Sequence, residues 1–161
     1  MITLRKLCVE DVAFMLRLVH DSETTKYVPG LIDDPAMMRS WILDLGPDDH
    51  EYIVSLTENG TPIGECSLTM RGTIGEIGIM LLSSHWGKGY GTETISCLVE
   101  AARSCKAEEV VATTDAENGA MIHILEKLGF YRQQTGWMLR IREDEAETPG
   151  MQTVVQYGLK L

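Results

Sequence analysis

The spacing of apolar residues changes repeatedly along the chain between a helical and an extended period, and this alternation limits the folds that the sequence can adopt. Residues 12–19 carry apolar side chains at i, i+3, i+4 and i+7, the spacing of one helix face. The period shortens over residues 52–56 and 62–70, which flank Asn59 and Gly60. Asn-Gly predicts a tight hairpin in which both turn residues have a positive φ.

The same reasoning extends along the whole chain and predicts alternating strands and helices. We expect strands near residues 2–7, 52–56, 62–70, 74–82, 108–114, 137–141 and 153–159, and helices near 12–19, 35–45, 95–102 and 121–128, the last ending at Gly129. The predicted fold class is therefore mixed α/β.

Composition narrows the class of protein. With 161 residues, 44% of them hydrophobic, the chain fits a single globular domain spanning residues 1–161. A formal charge of −10 suits a cationic substrate and argues against nucleic acid, whose binding needs clustered Lys and Arg. No run approaches the roughly 20 apolar residues of a membrane span, and residues 1–20 hold no signal-peptide core, so we expect a cytoplasmic protein without a membrane partner. Cysteine and histidine spacing predicts no metal site and no disulfide framework.

The segment 85–93, HWGKGYGTE, places three glycines at alternate positions between a predicted strand and a predicted helix. Glycine costs roughly 0.5–1 kcal/mol relative to alanine inside a regular element, so the backbone here must bend sharply or approach a ligand closely. A row of free N–H groups before a helix binds phosphate without side-chain charge. A tight turn without a ligand explains the glycines alone equally well.

Three segments resemble, in the same order, signatures of the GNAT superfamily of N-acetyltransferases. Residues 86–93 resemble its pyrophosphate-binding motif, with Trp86 in place of the usual Gln or Arg. Residues 118–130, NGAMIHILEKLGF, resemble the second signature, and residues 75–82 resemble the strand that carries the general base in many members. The resemblance is closest to the RimJ/RimL-like branch, which acetylates N-terminal amines of ribosomal proteins, with polyamine acetyltransferases as near relatives.

The resemblance implies a mostly antiparallel sheet of about seven strands and about four flanking helices, with a splayed pair of strands that holds the cofactor. It implies acetyl-coenzyme A as the co-substrate, with the pyrophosphate on the amides of residues 87–92. The residues that it assigns to the cofactor are Leu81, Leu82, Gly87, Lys88, Gly89, Tyr90, Gly91, Thr92 and Asn118. A solvated loop lysine is an equally ordinary reading of Lys88, as a helix N-cap is of Asn118.

Acetyl transfer to an amine needs a proton acceptor, because an alkylammonium has a pKa of about 10. Glu76 lies on the strand before the glycines, where similar enzymes keep this base, and Glu65 on the preceding strand is the alternative. The resemblance also implies a tyrosine or a serine that protonates the leaving thiolate. Leu125 and Met121 occupy those positions here. Activity does not require this acid, because a thiol with a pKa of about 8.5 is a tolerable leaving group without one.

The sequence gives little information about the acceptor amine. Residues 20–30 lie between the first two predicted helices, in a loop that borders the acceptor channel of similar proteins, which makes Glu23, Tyr27 and Trp41 candidate contacts. The acidic run 143–147 either steers a cation or is a solvated loop.

Two functions follow from these observations. The first is an acetyl-CoA-dependent N-acetyltransferase that acts on a peptide N-terminus or on a small amine such as a polyamine. The second, suggested by the missing acid, is a catalytically degenerate acyl-CoA-binding sensor or interaction module. The sequence does not fix the oligomeric state, and a homodimer stays open.

Overall fold

The computed structural model describes residues 1–28, 30–140 and 150–161, and within these ranges it contains seven strands and five helices. The strands are β1 (Ile2–Lys6), β2 (His50–Leu56), β3 (Pro62–Arg71), β4 (Ile74–Leu81), β5 (Glu109–Asp115), β6 (Tyr131–Arg140) and β7 (Gly150–Lys160). The helices are α1 (Val12–Val19), α2 (Ser22–Thr25), α3 (Pro35–Asp44), α4 (Tyr90–Ser104) and α5 (Gly119–Lys127). The mixed α/β class predicted from the alternating apolar periods is confirmed.

The seven strands form one sheet in the order β1-β2-β3-β4-β5-β7-β6. Neighbours run antiparallel except β4 and β5, which pair in parallel over residues 74–76 and 109–111. β4 then continues to Leu81 and β5 to Asp115. The structure describes all of these later residues, and here β4 and β5 no longer pair with each other. The sheet therefore opens at the C-terminal ends of both strands, which confirms the splayed pair.

Helices cover both faces of the sheet. α4 and α5 pack on one face, where Leu98 and Leu125 join Val54 of β2 in the larger hydrophobic core. α1 and α3 pack on the other face, where Met15 meets Ile53. Ile53 and Val54 are adjacent in one strand, so their side chains point to opposite faces. Below we call these the α4 face and the α1 face.

Local side-chain contacts fix where helices begin. Asp34 accepts a hydrogen bond from the N–H of Met37 at 2.8 Å at the start of α3, and Asn118 accepts one from the N–H of Met121 at 3.2 Å at the start of α5. α4 differs, because its N-cap is Gly89, which has no side chain to bond the first turn. The start of α4 is thus left without a side-chain cap.

The predicted two-residue turn between β2 and β3 was wrong, although the hairpin itself is present. Gly60 has a φ of 70°, but Asn59 has no positive φ. The connection is longer than two residues, because the N–H of Leu56 bonds to the carbonyl of Thr61 at 2.9 Å. Asn59 instead accepts a hydrogen bond from the N–H of Thr61 at 3.0 Å, which holds the turn without a left-handed Asn.

The prediction of an uninterrupted loop over residues 20–30 was also wrong, because α2 lies inside it. Asp21 caps this helix by accepting a hydrogen bond from the N–H of Thr24 at 3.3 Å. A helix of one turn is too short for an apolar period to reveal it.

The last two strands differ from their predicted bounds of 137–141 and 153–159. β6 already begins at Tyr131, and β7 extends beyond its predicted bounds at both ends, from Gly150 to Lys160. Ile141 and the acidic run 143–147 lie outside the described residues. Every helix within the described ranges is too short or too polar to cross a membrane.

Candidate active site

The glycine loop, residues 86–91, leads from the turn after β4 into α4. Gly87 and Gly89 have φ values of 72° and 84°, a region that L side chains rarely adopt. A Cβ added at either glycine would meet no atom within 4 Å, so the space beside the loop is open. The first N–H groups of α4 have no partner inside the helix. The loop is therefore a cradle whose donors are available to a bound anion.

Lys88 brings a positive charge to this loop. The ammonium of Lys88 donates a hydrogen bond to the carbonyl of Ser84 at 3.2 Å. Partial burial and the charges of Lys88 and Arg17 lower the pKa of His85. The first-turn carboxylate Glu93 is bound elsewhere, where it accepts a hydrogen bond from the N–H of Ile2 at 3.0 Å. This arrangement favours an anionic ligand at the start of α4.

A cavity of about 550 Å³ extends from the glycine loop along the open end of β4. α5 bounds it on one side, and α2 with the residues that follow it bounds the other, which we call the α2 end. The predicted site residues that line the cavity are Glu23, Tyr27, Leu81, Gly87, Gly89, Tyr90, Gly91, Thr92 and Asn118. Trp41, Glu76, Leu82 and Lys88 are not among its lining residues.

The backbone of β4 meets the cavity with some of its polar groups already bonded. The carbonyl of Leu81 accepts two hydrogen bonds, from the hydroxyl of Thr24 at 2.8 Å and from the indole N–H of Trp86 at 2.8 Å. The N–H of Leu82 donates to the carbonyl of Ile63 at 2.9 Å. Because backbone groups alternate in direction along a strand, the N–H groups of Leu81 and Ile79 point away from β3, toward the opening.

The wall beside β5 is held by side chains from distant segments. Asn118 lines the cavity while its side-chain oxygen caps α5, so both readings of this residue agree with its placement. The hydroxyl of Tyr27 donates to the carbonyl of Glu117 at 3.4 Å, and the amide of Gln152 donates to the carbonyl of Tyr27 at 3.1 Å. These bonds join the α2 end to the turn between β5 and α5 and to β7.

Comparison with known proteins decides the family. A family model described as an acetyltransferase (GNAT) domain matches residues 1–131. The chain belongs to the GNAT acetyltransferase family. A Bacillus licheniformis protein named uncharacterized N-acetyltransferase p20 is 28% identical over 142 residues, which cover 82% of this chain and 80% of that protein.

Solved structures share the fold of this GNAT acetyltransferase. YncA from Salmonella typhimurium, solved with its cofactor acetyl-CoA, has a TM-score of 0.76 and 19% identity, covering 100% of this chain and 94% of that chain. A ribosomal-protein-alanine N-acetyltransferase from Brucella melitensis has a TM-score of 0.77 and 18% identity, covering 99% of each chain. The family makes this protein an N-acetyltransferase with acetyl-CoA as co-substrate, and the open cradle of the glycine loop fits the phosphates of that molecule.

Of the four predicted residues of this GNAT acetyltransferase that do not line the cavity, Leu82 and Lys88 are next to lining residues in the sequence, whereas Glu76 and Trp41 are not. Glu76 sits in the part of β4 that still pairs with β5, and its side chain is 43% exposed. Its carboxylate accepts a hydrogen bond from the guanidinium of Arg71 at 3.0 Å. Trp41 of α3 packs against the hydrophobic cluster on the α1 face. The roles of both residues stay predictions.

The alternative base, Glu65, does not line the cavity either, but its cross-strand neighbour does. It is directly opposite Met80 in the antiparallel pair of β3 and β4, and Met80 lines the cavity. Burial raises the pKa of Glu65 well above its usual range, and a hydrogen bond with Glu51 and the charge of Glu51 raise it further.

The positions where relatives carry an acid differ in their surroundings. Leu125 is fully buried in the core on the α4 face, whereas Met121 lines the cavity. Tyr90, which also lines the cavity, stacks at a tilt on His85 with ring centroids 6.5 Å apart.

Sequence reasoning missed several lining residues that the fold brings together, among them Thr24, His85 and Ile79. Thr24 belongs to the short α2, His85 precedes the loop, and Ile79 lies in the splayed part of β4. Alternation along β4 carried a signal for Ile79, because its backbone faces the same side as that of Leu81. No local pattern marked Thr24, whose partner Leu81 is 57 residues away.

Proposed function

We propose that this N-acetyltransferase acetylates a primary amine, either a small cationic amine or a peptide N-terminus, by direct attack in a complex that holds both substrates. The observation that carries the proposal is the continuity of one cavity from the glycine loop to α2 along the end of β4 that no longer pairs with β5. A thioester bound from the loop side and an amine entering from the α2 end would meet at that opening.

Charge supports a cationic acceptor. The chain has a formal charge of −10, and Glu23 lies at the α2 end. An acidic surface raises the local concentration of an ammonium and speeds its encounter. The shared fold with the ribosomal-protein-alanine N-acetyltransferase is compatible with a peptide N-terminus as the acceptor, as in the RimJ/RimL-like branch that the sequence resembles. The alternative acceptor, a polyamine, is supported by the charge alone.

The proposal gives each lining group a task. The amides of residues 87–92 hold the pyrophosphate of acetyl-CoA, and the N–H of Ile79 holds its pantetheine arm. Asn118, which lines the same cavity, borders that arm. Of the two residues expected to supply an N–H to the oxyanion, Met80 faces β3 with this group, so the N–H of Leu81 stabilises the oxyanion that forms when the amine attacks the thioester carbonyl.

A steady-state assay of thiol release tests the proposal. The panel contains polyamines, aminoglycosides, free amino acids and peptides with different N-terminal residues. We expect sustained release above the hydrolysis blank with at least one amine, and mass spectrometry of the product should place the acetyl group on nitrogen. Tight CoA binding without turnover of any amine would favour a sensor instead.

The proposal also includes a cytoplasmic location and leaves open a homodimer. All four cysteines are free thiols, which suits the cytoplasm, where disulfides are rare. A homodimer is tested by light scattering across a range of protein concentrations.

A further inference from the structure

A short segment bridges the open end of the sheet. Residues 24–27, which we call the strap, contain the end of α2 and the turn that follows it. At one end the hydroxyl of Thr24 donates to the carbonyl of Leu81, the last residue of β4, at 2.8 Å. At the other end the carbonyl of Tyr27 accepts a hydrogen bond from the side-chain amide of Gln152 in β7 at 3.1 Å. β5 lies between β4 and β7 in the sheet and no longer pairs with β4 here, so the strap spans the gap between the two separated strands.

The far anchor of the strap is buried and connected to β5. Gln152 is 4% exposed, and its side-chain amide also donates to the carboxylate of Asp115, the last residue of β5, at 2.5 Å. Both partners of this nitrogen accept hydrogen bonds, which fixes the orientation of the amide. Asp115 accepts a further hydrogen bond from the N–H of Glu117 at 2.7 Å. The strap is therefore attached to the ends of both strands that separate.

The ring of Tyr27 is held in the wall of the cavity. Its hydroxyl donates to the carbonyl of Glu117 at 3.4 Å, and the ammonium of Lys26 lies over the ring, 5.4 Å from its centroid. Tyr27 lines the cavity together with Thr24 and Val28. The strap therefore forms the wall of the cavity at the α2 end, and the aromatic ring is the bulkiest rigid group of that wall.

The acyl group of the bound thioester lies next to this wall. The function proposed above places the oxyanion at the N–H of Leu81, and the carbonyl of the same residue is bonded to the strap. The acyl carbon is therefore within about one residue of the strap. The cavity of about 550 Å³ also has to hold the pantetheine arm and the acceptor amine. Little space is left beyond the methyl of an acetyl group.

We propose that the strap restricts this enzyme to short acyl groups and that Tyr27 is the residue that stops a longer chain. The inference rests on the acetyl transfer proposed above. The reaction is the same for every acyl-CoA. The amine nitrogen bonds to the acyl carbon, and the carbon–sulfur bond breaks with its electron pair on sulfur. The nitrogen gives up two protons, one to the thiolate and one to solvent. Only the space beyond the acyl carbon distinguishes the substrates, so the discrimination is steric.

The first test measures kcat/KM for acetyl-, propionyl-, butyryl- and hexanoyl-CoA with the best amine of the panel. One methylene is worth about 10–200-fold in discrimination, so wild type should use butyryl-CoA at least about 100-fold less well than acetyl-CoA. Tyr27→Ala removes the ring and should raise the ratio of butyryl to acetyl transfer at least about tenfold. Tyr27→Leu keeps an apolar side chain in the wall and should raise the ratio by less.

Three control variants separate the ring from the strap that carries it. Tyr27→Phe keeps the ring and loses the bond to Glu117, so it should retain the wild-type ratio. Tyr131→Ala makes the same substitution at a position that is 47% exposed and does not line the cavity, and it should also retain the ratio. Thr24→Val weakens the strap but leaves the ring in place, so it should weaken binding of all acyl-CoA molecules alike. A merely structural role of Tyr27 would have that same uniform effect.

Calorimetric titration without an amine tests the wall independently of turnover. Butyryl-CoA should bind wild type at least about tenfold more weakly than acetyl-CoA, and Tyr27→Ala should remove this difference. CoA itself, which has no acyl group, should bind wild type and Tyr27→Ala with the same affinity.

The possible failures are distinguishable. Equal kcat/KM for acetyl-CoA and butyryl-CoA in wild type would overturn the length limit while leaving acyl transfer intact. An unchanged ratio in folded Tyr27→Ala and Tyr27→Leu would contradict the role of Tyr27, and a change confined to the KM of the amine would place Tyr27 in the acceptor site instead. A wild type that binds acetyl-CoA in preference to butyryl-CoA but acetylates no amine would overturn the acetyl transfer and support the wall.

Discussion

The hydroxyl of Thr24 donates a hydrogen bond of 2.8 Å to the carbonyl of Leu81, the last residue of β4. The indole of Trp86 bonds to the same oxygen, also at 2.8 Å. α2 and the glycine loop are thereby tied to one backbone atom at the end of the splayed strand. The cradle and the α2 end of the cavity thus share a single anchor.

Thr24→Val should therefore weaken both folding and cofactor binding. Valine keeps the shape of threonine but leaves the buried carbonyl with one partner, which should lower the free energy of unfolding by about 0.5–1.5 kcal/mol. Because the anchor also positions β4, the Kd of acetyl-CoA should rise about 2–10-fold in calorimetric titration. Thr25→Val is the control, since its hydroxyl bonds to the carbonyl of Asp21 within the same turn. An equal effect on acetyl-CoA binding from both variants would contradict the shared anchor.

Gly89→Val should abolish acetyl-CoA binding, with a loss of at least about 100-fold in affinity, because a side chain at this φ of 84° both strains the loop and fills the cradle. Gly60→Val carries comparable strain at a φ of 70° in the β2–β3 connection, so it should cost stability without changing affinity. Lys88→Ala should weaken binding by only about fivefold or less, since one exposed charge contributes about 0–1 kcal/mol. Wild-type affinity in a folded Gly89→Val protein would contradict the cradle.

Most of the fold was predictable because it depends on local periods of apolar residues. α1 agrees with its prediction at both ends, Val12 and Val19. The conformation of the turn at Asn59 was not predictable, because a hydrogen bond to its side chain holds the connection without a left-handed backbone at this residue. α2 depends on one capping contact of Asp21, and a single turn has no period to detect.

The candidate site was predictable only where it is continuous in sequence. The glycine loop is such a segment, and all of its residues except Lys88 line the cavity. The position of Glu76 relative to the opening could not be read from the sequence, because it depends on the register of β4 with β5, which pair beside Glu76 and no longer pair beside Met80. Nothing along β4 alone marks the residue at which a strand leaves its neighbour.

The two positions that lack an acid should respond differently to its restoration. Leu125 is fully buried, so Leu125→Tyr should overpack the core and destabilise the protein by about 1–3 kcal/mol in thermal or urea unfolding. Met121 lines the cavity, so Met121→Ser should fold and should raise kcat about 2–10-fold by donating a proton to the thiolate. Met121→Ala removes the same bulk without the hydroxyl and should not raise kcat. An equal increase in both variants would attribute the gain to space rather than to the acid.

Stability should depend on the charge of Asp21, which connects α2 to the turn after β4. Its carboxylate accepts hydrogen bonds from the N–H of Ser83 at 2.9 Å and from the N–H of Thr24 at 3.3 Å. Partial burial raises the pKa of Asp21, but these bonds outweigh burial and lower it. A carboxyl with a lowered pKa in the folded state stabilises the protein above its unfolded pKa of about 3.9 and loses that contribution as pH falls through the folded value.

Asp21→Asn should accordingly lower the free energy of unfolding by about 1–3 kcal/mol at neutral pH, because it weakens bonds to a charged acceptor. Urea unfolding between neutral pH and pH of about 3 should show the gap to wild type narrowing once pH drops below about 3.9, as the wild-type carboxyl itself becomes protonated. Asp44→Asn, at an exposed position near the end of α3, is the matched control and should change little. A gap for Asp21→Asn that stays constant over this range would mean that the shape of the side chain, not its charge, holds α2 against the turn after β4.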